Sequence, residues 1–352
     1  MQEKKLRLTW FSIALLYIGF LMGAGFASGK ELWQFFGVFG DSGLFGILLA
    51  SALFMALGCC VVYISRKKKT EDMASIIYPG KSGVFQKVIR FCMALFLFSA
   101  YFSMIAAGGS VFREQFGIPS YIGSLVLTLL TLLVAIKGFG RVSKVLGKVV
   151  PVLLVVTLIL TIVILIRQKD VSQPGIALLY EPSLFAQNWI FSAFVYVGYN
   201  IIGAVVMLSN GSANSRSRGH AYFGAVAGGL FLGIFALLIH FVMLTDPTLA
   251  AGRDLPMLAF VMRVNPVIQW VYGIILLAAI FNTSTGAFFG TVSALPKKRS
   301  WIWAVAIALA GYLVSLLGFS NIVAIFYPLE GYISLVFICL MVIQFFLLLR
   351  KK

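Results

Sequence analysis

Gly19-Phe-Leu-Met-Gly23-Ala-Gly25-Phe-Ala-Ser28-Gly29-Lys30-Glu31 interrupts an apolar run that begins at Leu8, and this interruption sets the expectation for the whole chain. Counted at ~1.5 Å per residue from Leu8, Gly23 lies ~22 Å along a helix, past the middle of a hydrocarbon core about 30 Å thick. Four glycines in eleven residues weaken the helix there, each by ~1 kcal/mol relative to alanine. Close packing of the small-xxx-small kind is the competing explanation. Lys30-Glu31 decides between them, because a charge at this depth costs several kcal/mol unless paired or hydrated and marks a pathway. Unwinding here would free amides and carbonyls to bind a solute or cation. The N-terminus of the outer half-helix would present its positive dipole end to an anionic group.

The rest of the chain extends that pattern. Of 352 residues, 61% are apolar and 11% charged, against about 45–50% and about 25% in soluble domains. A giant soluble helical core could not keep its surface wet with so few polar groups. The apolar residues fall into runs of about 18–28, close to the ~20 needed to cross a bilayer as a helix. The expected spans are 8–40 (interrupted), 43–65, 86–113, 119–136, 143–166, 185–209 (interrupted), 219–244, 266–291, 300–318 and 322–349. Backbone polar groups in lipid must be satisfied internally, so these are helices; period-two alternation, the sign of a membrane β-barrel, is absent. The basic start could imitate a signal peptide with a cleavage site near Ala24, but nine further apolar runs favour a first transmembrane helix.

A net charge of +17 would suggest nucleic acid in a soluble protein. Its distribution argues for topology instead. Lys4, Lys5 and Arg7 precede the first span. Arg66 to Lys69, Lys81, Lys87 and Arg90 follow the second. Lys137, Arg141, Lys144 and Lys148 follow the fourth, Arg216 and Arg218 the sixth, Lys297 to Arg299 the eighth, and Arg350 to Lys352 the last. On this reading 22 of the 28 basic residues lie on one side, which the positive-inside rule makes the cytoplasm, with both termini. No aromatic-interleaved basic patch for nucleic acid is present. Cys59, Cys60, Cys92 and Cys339 sit in apolar runs without metal-ligand spacing and read as small hydrophobes. Two outer connections are long, 167–187 and 245–265. The second contains DLPMLAFVMRVN, either a short helix over the entrance or an amphipathic loop.

Odd features recur at similar offsets, with spans three and eight starting about 180 residues apart and spans five and ten ending about 183 apart. The interruption near Gly25 is matched about 173 residues later near Gly198, in Phe194-Val-Tyr196-Val-Gly198-Tyr199-Asn200. Five spans is an odd number, so a second set must enter from the opposite face. The spacing predicts an all-α, polytopic membrane protein of ten transmembrane helices. It forms one domain over 1–352, built as two inverted five-helix repeats (about 8–166 and 185–349) with helices 1 and 6 broken. Tyr196 and Tyr199 can wall a pocket at the second break, where Asn200 offers two donors and an acceptor; packing alone is the alternative. Glu330, about nine residues from the outer end of the last span, is a second mid-depth acid. Either it or Glu31 could carry a proton. His240 reads as a satisfied core histidine.

With these residues in place, the chain resembles the broken-helix transporters of the leucine-transporter fold, within the amino acid–polyamine–organocation superfamily. The resemblance covers nearly the whole chain as a 5+5 topology, although its residue motifs are short. More narrowly, GAGFASGKE at 23–31 is similar to the YkvI-type bacterial membrane proteins, which implies a bacterial cytoplasmic membrane. In the wider fold a GxxxGxG stretch, here Gly19, Gly23 and Gly25, supplies the unwound segment. The resemblance implies substrate contacts from Gly23, Ala24, Gly25 and Phe26. It implies sodium facing the carbonyls of Gly19 and Met22, completed by hydroxyls of helix 8 at Thr283 and Ser284; back-bonding to their own helix is the alternative for these hydroxyls. It implies a phenol from Tyr101 toward a substrate carboxylate, and an outer gate pairing Lys30 with Glu330.

The expectation that follows is a cation-coupled symporter of an amino acid or similar small solute, working by alternating access. It needs no cofactor beyond a sodium ion or proton, and no partner beyond substrate and lipid; oligomeric state is not readable. A GxxxxGKS/T loop for ATP is absent. An enzyme would need a nucleophile or metal constellation, which two distant histidines do not supply. A channel would need a filter motif, and none is apparent. A permease-fold sensor that binds without transporting is the remaining alternative.

Overall fold

A computed structural model describes residues 7–80, 83–137, 149–167, 187–295 and 300–350. The outer connection at 168–186 lies outside these residues. So do the basic residues Lys4, Lys5, Lys81, Arg141, Lys144, Lys148, Lys169, Lys297 to Arg299, Lys351 and Lys352.

The first span begins as α1 (Trp10–Leu21), capped by Thr9, whose Oγ1 accepts the Ser12 amide at 3.3 Å. It stops at Met22, whose amide still reaches the Ile18 carbonyl while ψ turns to 60°. Gly23 is extended, so the last carbonyls of α1 lose their intrahelical partners. A five-residue α2 (Ala24–Ser28) follows, then α3 (Lys30–Phe35). Gly29 joins them at φ 83°, a left-handed conformation that favours glycine. The interruption expected near Gly25 is therefore two breaks, at Met22–Gly23 and at Gly29, with Gly25 inside the short helix between them.

After a 3-10 turn at Gly37–Ser42 come α4 (Gly43–Lys68), α5 (Met73–Ile77), α6 (Gly83–Phe116), α7 (Ser120–Lys137) and α8 (Val149–Arg167). The second half comprises α9 (Trp189–Ala213), α10 (Arg218–Thr245), α11 (Pro247–Gly252), α12 (Pro256–Val264), α13 (Pro266–Ser293), α14 (Ser300–Ser315) and α15 (Phe319–Arg350). Among the described residues, six of these helices are long and apolar enough to cross a membrane and four shorter ones are apolar. The chain is a nearly all-helical, multi-pass membrane protein.

The second expected break does not occur: α9 runs unbroken from Trp189 to Ala213 through Gly198. Two contacts explain why. Asn200 spends its Nδ2 on the Tyr196 carbonyl one turn back, at 3.0 Å, so it reinforces the helix. Gly198 meets the backbone of α15, where a Cβ would stand 2.8 Å from the Gly331 carbonyl oxygen. It is a packing glycine.

The first span packs along α9 and α10 and touches α4 through Tyr17. Gly228 on α10 admits the Tyr17 ring, and Gly233 admits Ser51 of α4. Tyr17 also donates to the Phe54 carbonyl at 3.0 Å. At the N-terminal end of α1, Leu8 pairs with the end of α9: its amide bonds the Asn214 carbonyl at 2.8 Å, and its carbonyl accepts from Arg216 at 2.9 Å. On the far side, α6 packs along α7 and α13. The stretch 245–265 is helical, as α11 and α12, with Met257, Leu258, Phe260 and Val261 buried. Asp246 caps α11 at the Leu249 amide and pairs with Arg263 at 2.7 Å. His240 is fully buried, a core histidine as expected.

Candidate functional site

Between the two breaks in the first span, the Glu31 side chain folds back over Gly25. A Cβ at Gly25 would lie 1.8 Å from Glu31 Oε1, so this carboxylate position exists only because residue 25 is glycine. The other carboxylate oxygen accepts the Tyr199 hydroxyl at 2.5 Å. Around it stand Phe35, stacked on Tyr199 at 5.6 Å, Tyr196 at 5.3 Å from Phe35, and Tyr327 at 4.8 Å from Tyr199. Ser28 Oγ donates to the Gly25 carbonyl at 2.7 Å and accepts the Lys30 amide at 3.3 Å. The Ala27 carbonyl accepts the Tyr272 hydroxyl from α13 at 2.7 Å. A broken helix that keeps its polar groups in such bonds is tolerated at mid-depth, because irregular backbone there must be satisfied by protein. The adjoining space lined by Phe36, Phe54 and Tyr196 measures about 10 Å³, enough for at most one water.

Tyr199 gives a direct test of this arrangement. Phenylalanine keeps the ring contacts but removes the hydrogen bond to a carboxylate, a bond worth about 1.5–3 kcal/mol. If this segment holds a solute, Tyr199→Phe should weaken its binding roughly tenfold or more and also lower the melting temperature, because the Glu31 carboxylate loses its partner. Saturation curves for both proteins would measure it, and equal half-saturation points would rule out a role for the hydroxyl.

The structure brings together Gly23, Ala24, Gly25 and Phe26, with Glu31, Tyr196 and Tyr199. It separates others. Lys30 turns toward the α11–α12 corner, where its Nζ donates to the carbonyls of Ala251 at 3.1 Å and Arg253 at 2.9 Å. It does not pair with Glu330 here, because successive helical residues face different directions and Lys30 faces the α11–α12 corner. Tyr101 is fully buried, but its ring packs on Phe288 at 4.9 Å and against Gly311, toward α13 and α14 and away from the Gly25 segment. Gly198 and Asn200 serve the packing and winding of α9, as described.

Of the oxygen set expected from Gly19, Met22, Thr283 and Ser284, the structure gives hydrogen-bond partners for the Ser284 hydroxyl. Ser284 Oγ donates to the Phe281 carbonyl at 3.0 Å and faces Thr131 of α7 at 3.5 Å, while Thr285 back-bonds to Phe281 at 2.6 Å. Back-bonding within the helix, the alternative kept open by the sequence, is what Ser284 and its neighbour Thr285 do.

Residues not singled out by sequence reasoning form the outer corner. Asp254, between α11 and α12, accepts from Arg113 at 2.7 Å and from Ser110 at 2.7 Å, both on α6, and from Ser320 of α15. Its amide donates to Glu114 Oε1 at 2.9 Å. Burial pushes its carboxyl up, but the Ser110 and Ser320 bonds and the charges of Arg113 and Lys30 outweigh that and hold it below the usual carboxylate range. The signal available was Arg253-Asp254 in an otherwise apolar outer segment.

Matched along its length, the chain is 29% identical over 333 residues to the membrane protein YkvI of Bacillus subtilis (strain 168), covering 93% of each. The chain is homologous to YkvI. YyaD of the same organism matches at 26% over 334 residues, covering 93% of this chain and 94% of YyaD. No family model matches the chain. Among solved structures, the Eremococcus coleocola manganese transporter aligns with TM-score 0.58 at 14% identity, over 95% of this chain and 74% of that one. The inward-facing conformation of Mhp1 gives TM-score 0.58 at 13%, over 98% and 78%. MhsT in complex with L-phenylalanine gives TM-score 0.58 at 19%, over 93% and 89%. These neighbours are transporters of the leucine-transporter fold and not enzymes. At such identities the likeness is one of fold, and the chain has that fold.

Proposed function

We propose that this protein is a secondary transporter that moves a small organic solute, an amino acid or a similar compound, by alternating access, coupled to the entry of a cation. In this reading the ten apolar helices form two inverted five-helix repeats in the bacterial cytoplasmic membrane, with both termini cytoplasmic. The order of ten apolar helices and the placement of basic residues support it; only the first span of the two repeats is broken.

The observation that carries the proposal is the first span, broken at Met22–Gly23 and Gly29 and closed over by Glu31 and Tyr199. Backbone amides at Gly23 to Phe26, the Glu31 carboxyl and the Tyr196 and Tyr199 rings would surround the solute. The first, second, sixth and seventh spans would rock as one body against the rest. The cation is sodium or a proton, and the gradient supplies the energy.

Reconstituted full-length protein offered radiolabelled amino acids and amines, with imposed sodium or proton gradients, should show saturable uptake that depends on one gradient. Saturable binding with no uptake under either gradient would leave the sensor reading and remove transport.

A further inference from the structure

A carboxylate held out of water at mid-depth requires a positive partner or a nearly complete set of hydrogen bonds. Glu31 is 6% exposed, and among the described residues no lysine or arginine is ion-paired with it. The neighbouring ammonium of Lys30 is already held by the Ala251 and Arg253 carbonyls. The hydrogen bond that the structure gives the carboxylate comes from the Tyr199 hydroxyl, a neutral donor to a group with about four lone-pair sites. The described residues therefore leave the charge of Glu31 unbalanced.

The surroundings attract positive charge as well. The twelve-residue helix α1 stops at Leu21, so its carbonyl end, which carries roughly half a negative charge, points at the break. Phe35 of α3, Tyr196 and Tyr199 of α9 and Tyr327 of α15 form a continuous aromatic wall, with neighbouring ring centroids 4.8–5.6 Å apart. Tyr196 and Tyr327 lie within electrostatic range of the Glu31 carboxyl, so the wall and the acid are one locus. Aromatic faces are negative and draw ammonium groups. At Gly23 nothing stands within 4 Å of a Cβ position, and the break has open space there. A solute that offered only a carboxylate would meet repulsion from Glu31. A single acid balances one positive charge, so a dication would arrive with charge to spare.

We infer that Glu31 and the aromatic wall of Phe35, Tyr196, Tyr199 and Tyr327 bind the ammonium head of the solute, which makes the transported class small organic monoamines. The ammonium donates to the carboxylate alongside the Tyr199 hydroxyl. A zwitterionic amino acid offers the same head but adds a carboxylate, which the charge of Glu31 disfavours. The inference deepens the transport reading and rests on it for the movement of the solute, whereas binding can be measured with no gradient present.

The test is equilibrium binding and thermal unfolding of the full-length protein in lipid nanodiscs with three matched series. These are monoamines from methylamine to phenethylamine, the amino acids with the same side chains, and the corresponding carboxylic acids without the amine. At least one amine should bind saturably and raise the melting temperature, because a ligand that binds only the folded state stabilises it. Its parent amino acid should need at least tenfold more. Glu31→Gln should weaken the amine at least a hundredfold, and Tyr327→Leu several-fold through the lost ring face. Carboxylic acids that bind as tightly as amines, an amine affinity unchanged in Glu31→Gln, or no amine binding at all would overturn the assignment. The first and last of these need no variant to fold. A melting response to sodium chloride over potassium chloride that Glu31→Gln abolishes would give the carboxylate to an inorganic ion and overturn it too. Glu31-dependent amine binding without uptake under any gradient would keep the site and sink transport; gradient-driven uptake that survives Glu31→Gln would do the reverse.

Discussion

Gly25→Ala is expected to reduce solute uptake at least a hundredfold while the protein still inserts and purifies as a single species. The added methyl would sit 1.8 Å from Glu31 Oε1, well inside contact distance, and the easiest relief is for the flexible carboxylate to swing out. Doing so breaks the Tyr199 bond and leaves a buried acid without its partner, an outcome that costs several kcal/mol. A hundredfold corresponds to about 2.7 kcal/mol, within that range. Gly23→Ala is the internal comparison. Nothing lies within 4 Å of a Cβ there, and its backbone is extended at φ −66° and ψ −177°, so melting should not change. Initial uptake rates at several solute concentrations would measure both variants, and near-normal rates in Gly25→Ala would remove Glu31 from the solute site.

Asp254→Ala should loosen the outer corner, lowering the melting temperature by several degrees and slowing uptake. Its carboxylate joins the α11–α12 turn to α6 through Ser110 and Arg113 and to α15 through Ser320. Arg113 is 53% exposed, so its ion pair is discounted for screening; the two buried hydroxyl bonds carry most of the effect, together about 2–4 kcal/mol. The folded-state pKa is depressed, so this stabilisation is complete above the ordinary carboxylate value of about 3.9. It disappears as pH falls through the lower folded value. Melting curves from pH 7 down to about 3 should therefore converge for wild type and Asp254→Ala only at the acid end. A constant gap at every pH would argue that packing, and not the ionised carboxylate, holds the corner.

Much of this architecture is legible in the sequence because lipid leaves so few options. Apolar runs of spanning length dictate helices, and Gly23, Gly29 and the charged pair after them locate the break in the first span. The sixth span shows where that logic ends. Gly198 and Gly25 look alike as letters, but Gly198 faces the Gly331 backbone whereas Gly25 faces a carboxylate, and only the opposing helix distinguishes them. Lys30 and Glu330 are both mid-depth charges, and opposite sign suggests a pair. Which way each points depends on helix rotation, which a one-dimensional pattern does not specify.

The contact between Tyr199 and Tyr327 carries one more consequence, because its rings belong to helices that must shift against each other if the protein opens. An aromatic pair is worth about 0.5–1.5 kcal/mol beyond its buried area. Sliding it apart is thus a small energetic step, within reach of a ligand that favours one arrangement over the other by a few tenfold. On the transport reading this pair would be the readily yielding part of the seam, while the close backbone packing of Gly198 on Gly331 would keep the two helices in register as they slide.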